Sequence, residues 1–305
     1  MILCCGEALI DMLPRDLAQG GEGFMPCTGG ALFNTAIALG RLGEKTGFFS
    51  SISNDMFGDL ILNDLKNASV KFDLCPRLDK PTTLAFVKLT NGAATYSFFD
   101  ENSAGRNLDL PDLPKLDVSV DALHFGAISL IPEPCGSAFE AFLSQNTDKV
   151  ISLDPNIRPG FITDENAHRQ RIQRMCNQSD IIKVSDEDLD WIVDGSSSEG
   201  QIAQWLEGQA SVVTMTKGED GATAYTKNGE VHQSVFPVEV VDTVGAGDTF
   251  NAGFLATLKQ QGNLSKAALK NIGADDVQSA LELAAKVSSI VVGRAGANPP
   301  WLNEL

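Results

Sequence analysis

From residue 122 onward, short apolar runs recur with amphipathic stretches between them, and this rhythm narrows the fold more than any other feature. Ala122–Phe125, Val150–Leu153, Ile181–Val184 and Val212–Thr216 read as strands, and Ala222–Tyr225 with Val231–Val235 as a hairpin. Helices are expected between them at about 135–146, 164–177, 186–193 and 199–208, and then at about 247–260 and 275–292. In the last, Val277, Ala280, Leu281, Ala284, Val287 and Val291 line one face. Strand–helix–strand units predict an α/β fold: a mostly parallel central sheet between two layers of helices.

The first third departs from this rhythm. Met1 to Gly6 reads as a short buried strand, 31–43 as a helix opened by Gly29-Gly30, and 56–68 as a second helix with Phe57, Leu60, Ile61 and Leu65 at helical spacing. Leu84 to Leu89 and Thr95 to Phe99 then flank Asn91-Gly92, a strong hairpin signal. Strand following strand predicts a small β-rich lid, contributed by about 11–28 and 82–106, within a single domain of 1–305.

A net charge of −17 disfavours nucleic acid or an anionic membrane as partner. The N-terminal stretch has no basic flank, Glu7 and Asp11 interrupt its apolar run, and no window approaches a membrane span. Six dispersed cysteines without CxxC spacing read as small apolar fillers in a reducing compartment. A cytoplasmic location is therefore expected.

The run Asp242-Thr243-Val244-Gly245-Ala246-Gly247-Asp248 follows an apolar segment, Phe236 to Val241, and opens an apolar-periodic helix. Small residues there let backbone N–H groups approach an anion at a helix N-terminus. Asp248 in that turn either caps the helix or takes a proton from a hydroxyl attacking a bound phosphate. The spacing matches neither a dinucleotide fingerprint nor a Walker-A loop, since no Gly-Lys-Ser/Thr occurs. Gly29-Gly30 with Asn34 offers close backbone approach plus a donor and an acceptor for a polyhydroxy ligand, or only a helix start. Asp11, following the first strand, is expected at the carboxyl end of the sheet, where it binds a hydroxyl or caps a turn.

Together these runs resemble the two signatures of the ribokinase-like (PfkB) carbohydrate kinases. The resemblance extends through Gly6-Glu7-Ala8, Asp154 to Arg158 and Arg294 to Ala297, and within the family it is strongest to bacterial fructokinases. It implies a ribokinase-like three-layer α/β/α sandwich and ATP-dependent phosphorylation of a primary hydroxyl of a ketohexose, D-fructose at O6. The alternatives are a 2-keto-3-deoxygluconate kinase or another family sugar kinase, and a catalytically silent sugar-binding regulatory protein.

Carried over residue by residue, the resemblance makes Asp248 the base and Gly245, Ala246 and Gly247 an anion hole, with Arg158 near the phosphates or the substrate. Asp11, Gly29, Gly30, Asn34 and Phe98 become sugar contacts. Lys183, Ser185, Thr216, Lys217, Gly218, Gly221 and Lys286 fall to the nucleotide. Asp188 or Glu187 would reach Mg²⁺ through water, and Asp242 and Val244 match positions of a monovalent cation, K⁺. The resemblance also implies a homodimer through the lid.

Overall fold

Apolar runs without alternation become interior strands here because both of their faces meet helices. The structure, a computed structural model, describes residues 1–90 and 93–305, with the backbone alone at 88–90 and 93–96. The expected Asn91-Gly92 turn lies outside the described residues.

Along the chain come β1 (Ile2–Cys5), β2 (Leu9–Asp16), β3 (Glu22–Gly29), α1 (Ala31–Arg41), β4 (Thr46–Phe49), β5 (Ile52–Ser53), α2 (Met56–Asn67), β6 (Arg77–Leu78), β7 (Leu84–Thr90) and β8 (Ala93–Phe99). There follow β9 (Ala122–Gly126), α3 (Cys135–Gln145), β10 (Val150–Asp154), α4 (Glu165–Cys176), β11 (Ile181–Ser185), α5 (Asp186–Val193), α6 (Ser198–Glu207) and β12 (Val212–Thr216). The hairpin β13 (Ala222–Thr226) and β14 (Gly229–Gln233) precedes α7 (Ala246–Gln260), α8 (Lys266–Leu269) and α9 (Ala274–Val292).

The large sheet runs β14-β13-β12-β11-β10-β9-β1-β4 and is parallel except at β13, which runs antiparallel to both β12 and β14. In β1, Ile2 and Cys4 pack with α1, α7 and α9, whereas Leu3 and Cys5 pack with α3 and α4 on the other side. This alternation makes three layers. All six cysteines are free, and Cys4, Cys5, Cys135 and Cys176 are buried as apolar filler.

A four-stranded sheet, β3-β2-β7-β8, forms the lid. Its strands begin at Leu9 and Glu22, so the lid sheet starts two residues before the expected segment. The edge strand β4 was not expected: Thr-Gly-Phe-Phe is too short to show a period, yet it pairs in register with β1. The second hairpin strand is Gly229–Gln233 rather than 231–235, because Val231 sits opposite Ala224.

Candidate active site

Strands β11 and β12 end side by side at Ser185 and Thr216, β10 ends at Asp154 level with Lys183, and α7 begins over this carboxyl edge. At the start of α7, Gly245 has φ +79, and a Cβ there would come within 2.7 Å of Ala297 Cβ. Both the left-handed backbone and the close tail demand glycine. No side chain caps α7. Asp248 instead turns away from the helix end, and its Oδ2 accepts a hydrogen bond from Asn34 Nδ2 of α1 at 2.9 Å. Thr35 Oγ1 donates to the Asp248 carbonyl at 3.1 Å, which clamps α1 and α7 together. The capping alternative is therefore not what the geometry adopts.

Asp248 is 8% exposed. Burial pushes its carboxyl up to about 7; the Asn34 hydrogen bond and Lys183 oppose that rise, and the Asp154 and Glu7 carboxylates reinforce it. A carboxyl that titrates near neutrality suits a general base.

On the lid side, Gly29 faces Asp11 so closely that a Cβ would run into Asp11 Oδ2. Asp11 lies within β2, not at the carboxyl end of the large sheet as its place after the first strand had suggested, because β2 turns into the lid. Cys27, Asp11, Ala85 and Phe98 pair across β3, β2, β7 and β8, so Asp11 and Phe98 share one lid face. Burial raises Asp11 to about 6. Phe98 packs edge-on against Phe161, with centroids 4.4 Å apart. Both line a cavity of about 100 Å³ with Glu7, Ser129, Asp100 and Arg106. Glu7, which the resemblance quoted without a role, accepts from the backbone N–H groups of Ala31 and Ser129 and so anchors the start of α1.

On the far side of the glycine turn, a cavity of about 680 Å³ is lined by Thr216, Gly218, Gly221, Val240, Gly247 and Ser288. The apolar segment 236–241 forms its rim rather than a strand. Lys217 is exposed, and its backbone N–H closes the loop onto Gly221. Lys286 corrects the sequence reading. The cavity side of α9 carries Ala285, Ser288, Ser289 and Val292, while Lys286 Nζ donates to the Leu305 carbonyl at 2.7 Å on another face.

Ser185 caps α5, and Asp188 completes the box: its Oδ2 accepts from Ser185 N–H and its Oδ1 from Ile157 N–H at 2.8 Å. Glu187 is exposed, as is Arg158, whose Nη1 donates to the Ile157 carbonyl. Asp242 accepts from the N–H groups of Val244 and Gly296, tying the loop before the glycine turn to the tail. Among the described residues, no group of three or more His, Cys, Asp or Glu side chains is gathered to hold a metal.

Beneath the turn, Lys183 Nζ lies 3.1 Å from Asp154 Oδ2, which also accepts from Asn251 Nδ2 at 2.7 Å. Sequence reasoning gave Asp154 and Asn251 no role. The available signal was a polar Asn three residues after Asp248, set between the apolar Phe250 and Ala252.

The chain matches the description "pfkB family carbohydrate kinase" over residues 1–304. It is 56% identical over 267 residues to a fructokinase of Rhizobium leguminosarum bv. trifolii, covering 87% of this chain and 82% of that protein. The fold is similar to the Xylella fastidiosa fructokinase solved with bound ATP, at TM-score 0.91 and 30% identity over 99% of this chain and 96% of that one. It is also similar to the Vibrio cholerae O395 fructokinase solved with fructose, ADP and calcium ion, at TM-score 0.81 and 25% identity over 97% and 94%. A double mutant of that protein, with fructose, ADP and potassium ion bound, gives TM-score 0.82 at 25% identity over 97% and 93%. The sandwich with its lid, the glycine turn carrying Asp248, and these likenesses agree: the chain belongs to the pfkB family of carbohydrate kinases.

Proposed function

We propose that this carbohydrate kinase is an ATP-dependent fructokinase that converts D-fructose to fructose 6-phosphate. One observation carries the reading: the buried Asp248, held by Asn34, stands at the glycine turn that borders the larger cavity. ATP suits that cavity, whose apolar rim takes a base and whose helix N-terminus takes phosphate. Fructose suits the lid side, where Asp11 and Asn34 supply polar groups and Phe98 an apolar wall; Gly29, whose missing side chain admits the Asp11 carboxylate, and Gly30, which admits the Glu7 carbonyl, are assigned to the sugar beside them.

In the reaction, the O6 proton of fructose passes to Asp248 as the O6–Pγ bond forms and the bond to the β-phosphate oxygen breaks, releasing ADP. The N–H groups of Gly245, Ala246 and Gly247 stabilise charge on the transferring group. Closing the lid excludes water, the competing nucleophile. Magnesium neutralises phosphate charge when bound. Asp188, whose oxygens already hold backbone N–H groups, or the exposed Glu187 would reach it through water. Asp242 and the Val244 carbonyl would hold potassium, as the potassium-bound Vibrio relative makes reasonable. Thr216, Gly218 and Gly221, which line the cavity, are assigned to the nucleotide together with Lys217 and Ser185, and Arg158 to the phosphates or the substrate.

The lid's exposed Leu17, Phe24, Met25 and Phe99 favour a homodimer through it. Among the described residues no helix is long and apolar enough to cross a membrane, and we place the enzyme in the cytoplasm. The test is ADP release with ATP and Mg²⁺ over fructose, 2-keto-3-deoxygluconate, ribose and glucose. Fructose-selective turnover is expected. Among the described residues lining the lid cavity, Arg106 is the cation that could meet an acid sugar, but it lies 3.7 Å from Asp100 and shares the cavity with Glu7. Selective turnover of 2-keto-3-deoxygluconate would replace the substrate.

A further inference from the structure

Under the glycine turn lies a charge pair to which the reaction above assigns no step. Lys183 comes from β11 and Asp154 from the end of the neighbouring β10; their side chains are 8% and 4% exposed. Asp154 Oδ2 accepts from both Lys183 Nζ and Asn251 Nδ2, and Asp154 Oδ1 has no hydrogen-bond partner among the described residues. Lys183 Nζ sits 3.2 Å from where a Cβ on Gly247 would project, directly against the turn. An enclosed ion pair is a poor device for stability, because desolvating both ions offsets their attraction. Its location beside Asp248 is the informative feature.

We infer that Asp154 and Lys183 are positioning residues: through Asn251, Asp154 sets the rotation of the helix that carries the base, and the pair balances the charge around Asp248. The inference rests on the reading of Asp248 as that base. Asn251 follows Asp248 by three residues on α7, so a carboxylate gripping Asn251 fixes the azimuth of both. The side chains that act on Asp248 include Asn34 from α1, by a hydrogen bond, and the charges of Asp154 from β10, Lys183 from β11 and Glu7 from the β1–β2 turn. Burial opposes a charge on Lys183, but the carboxylates of Asp154 and Asp188 outweigh it and raise its pKa, so it stays protonated. Removing either partner of the pair changes the field on Asp248 with opposite sign.

The experiment is the pH dependence of kcat/KM for fructose in the unaltered protein, Asp154→Asn and Lys183→Met. Asparagine keeps an acceptor for Asn251 while deleting the negative charge. The acid limb is expected to move down by about one pH unit in Asp154→Asn and up by about one in Lys183→Met. Lys183→Gln, polar and uncharged, serves if the methionine variant does not fold, with the same upward direction. Limbs that stay put, or move in the same direction, would overturn the inference. So would a raised KM for ATP in the lysine variants with the limb unmoved, which would mark Lys183 as a direct nucleotide contact. Lack of fructose turnover in the unaltered protein would count against the proposed function instead. In that case the ¹³C carboxyl titration of Asp248, followed by NMR without substrate, reads the same opposite shifts.

Discussion

Replacing Asp248 with Asn is expected to stabilise the protein at neutral and alkaline pH. The carboxyl is buried, and its titration lies at about 7 against an ordinary 3.8. Unfolding releases it to water. Between those two values the unfolded chain has lost the proton and the folded chain has kept it, so stability falls as pH rises through the window. Above about 7 both states are ionised and the whole penalty is present. The interval corresponds to roughly 4 kcal/mol as an upper bound; local relaxation and water entry reduce the measurable share to about 1–3 kcal/mol. Asparagine is nearly isosteric and keeps an oxygen to accept from Asn34 Nδ2, so the clamp between α1 and α7 survives. Urea unfolding of both proteins at pH 5, 6, 7 and 8, without ligand, reads the difference directly. The advantage of the variant is expected to be small at pH 5, to grow to pH 7 and to level off by pH 8. A pH-independent difference, or a variant less stable at pH 8, would refute the claim that Asp248 is held at the expense of stability.

Two other substitutions probe the surroundings. Gly245→Ala forces a side chain into a left-handed backbone and onto Ala297, which is expected to destabilise by about 1–3 kcal/mol and to lower kcat, read by thermal unfolding and turnover. Lys286→Met loses only its bond to Leu305, so KM for ATP should stay within about twofold while the melting temperature falls slightly. A tenfold rise in KM would return Lys286 to the nucleotide site.

The layered fold was legible because the interior strands are unbroken apolar runs and α9 carries a clear helical stripe. Strand β4 was not, since four residues beginning Thr-Gly show no period, and its identity comes from pairing with β1. Asp248, Gly245 and Asn34 stood out because glycine next to a helix start is a local signal. Their mutual contact was invisible, because it joins positions 34 and 248 through tertiary packing. Lys286 failed for a rotational reason: one residue along α9 turns a side chain by about 100°, away from the cavity face of Ala285 and Ser288. Asp154 and Asn251 acquire meaning only where β10 and α7 meet.

The proposed reaction stands or falls on Asp248 taking the proton from the sugar. The most direct measurement compares fructose-dependent ADP release in the unaltered protein and in Asp248→Asn, with ATP binding followed by calorimetry. Turnover is expected to fall by about a thousandfold or more, with nucleotide affinity unchanged. Near-normal turnover in the variant would contradict it.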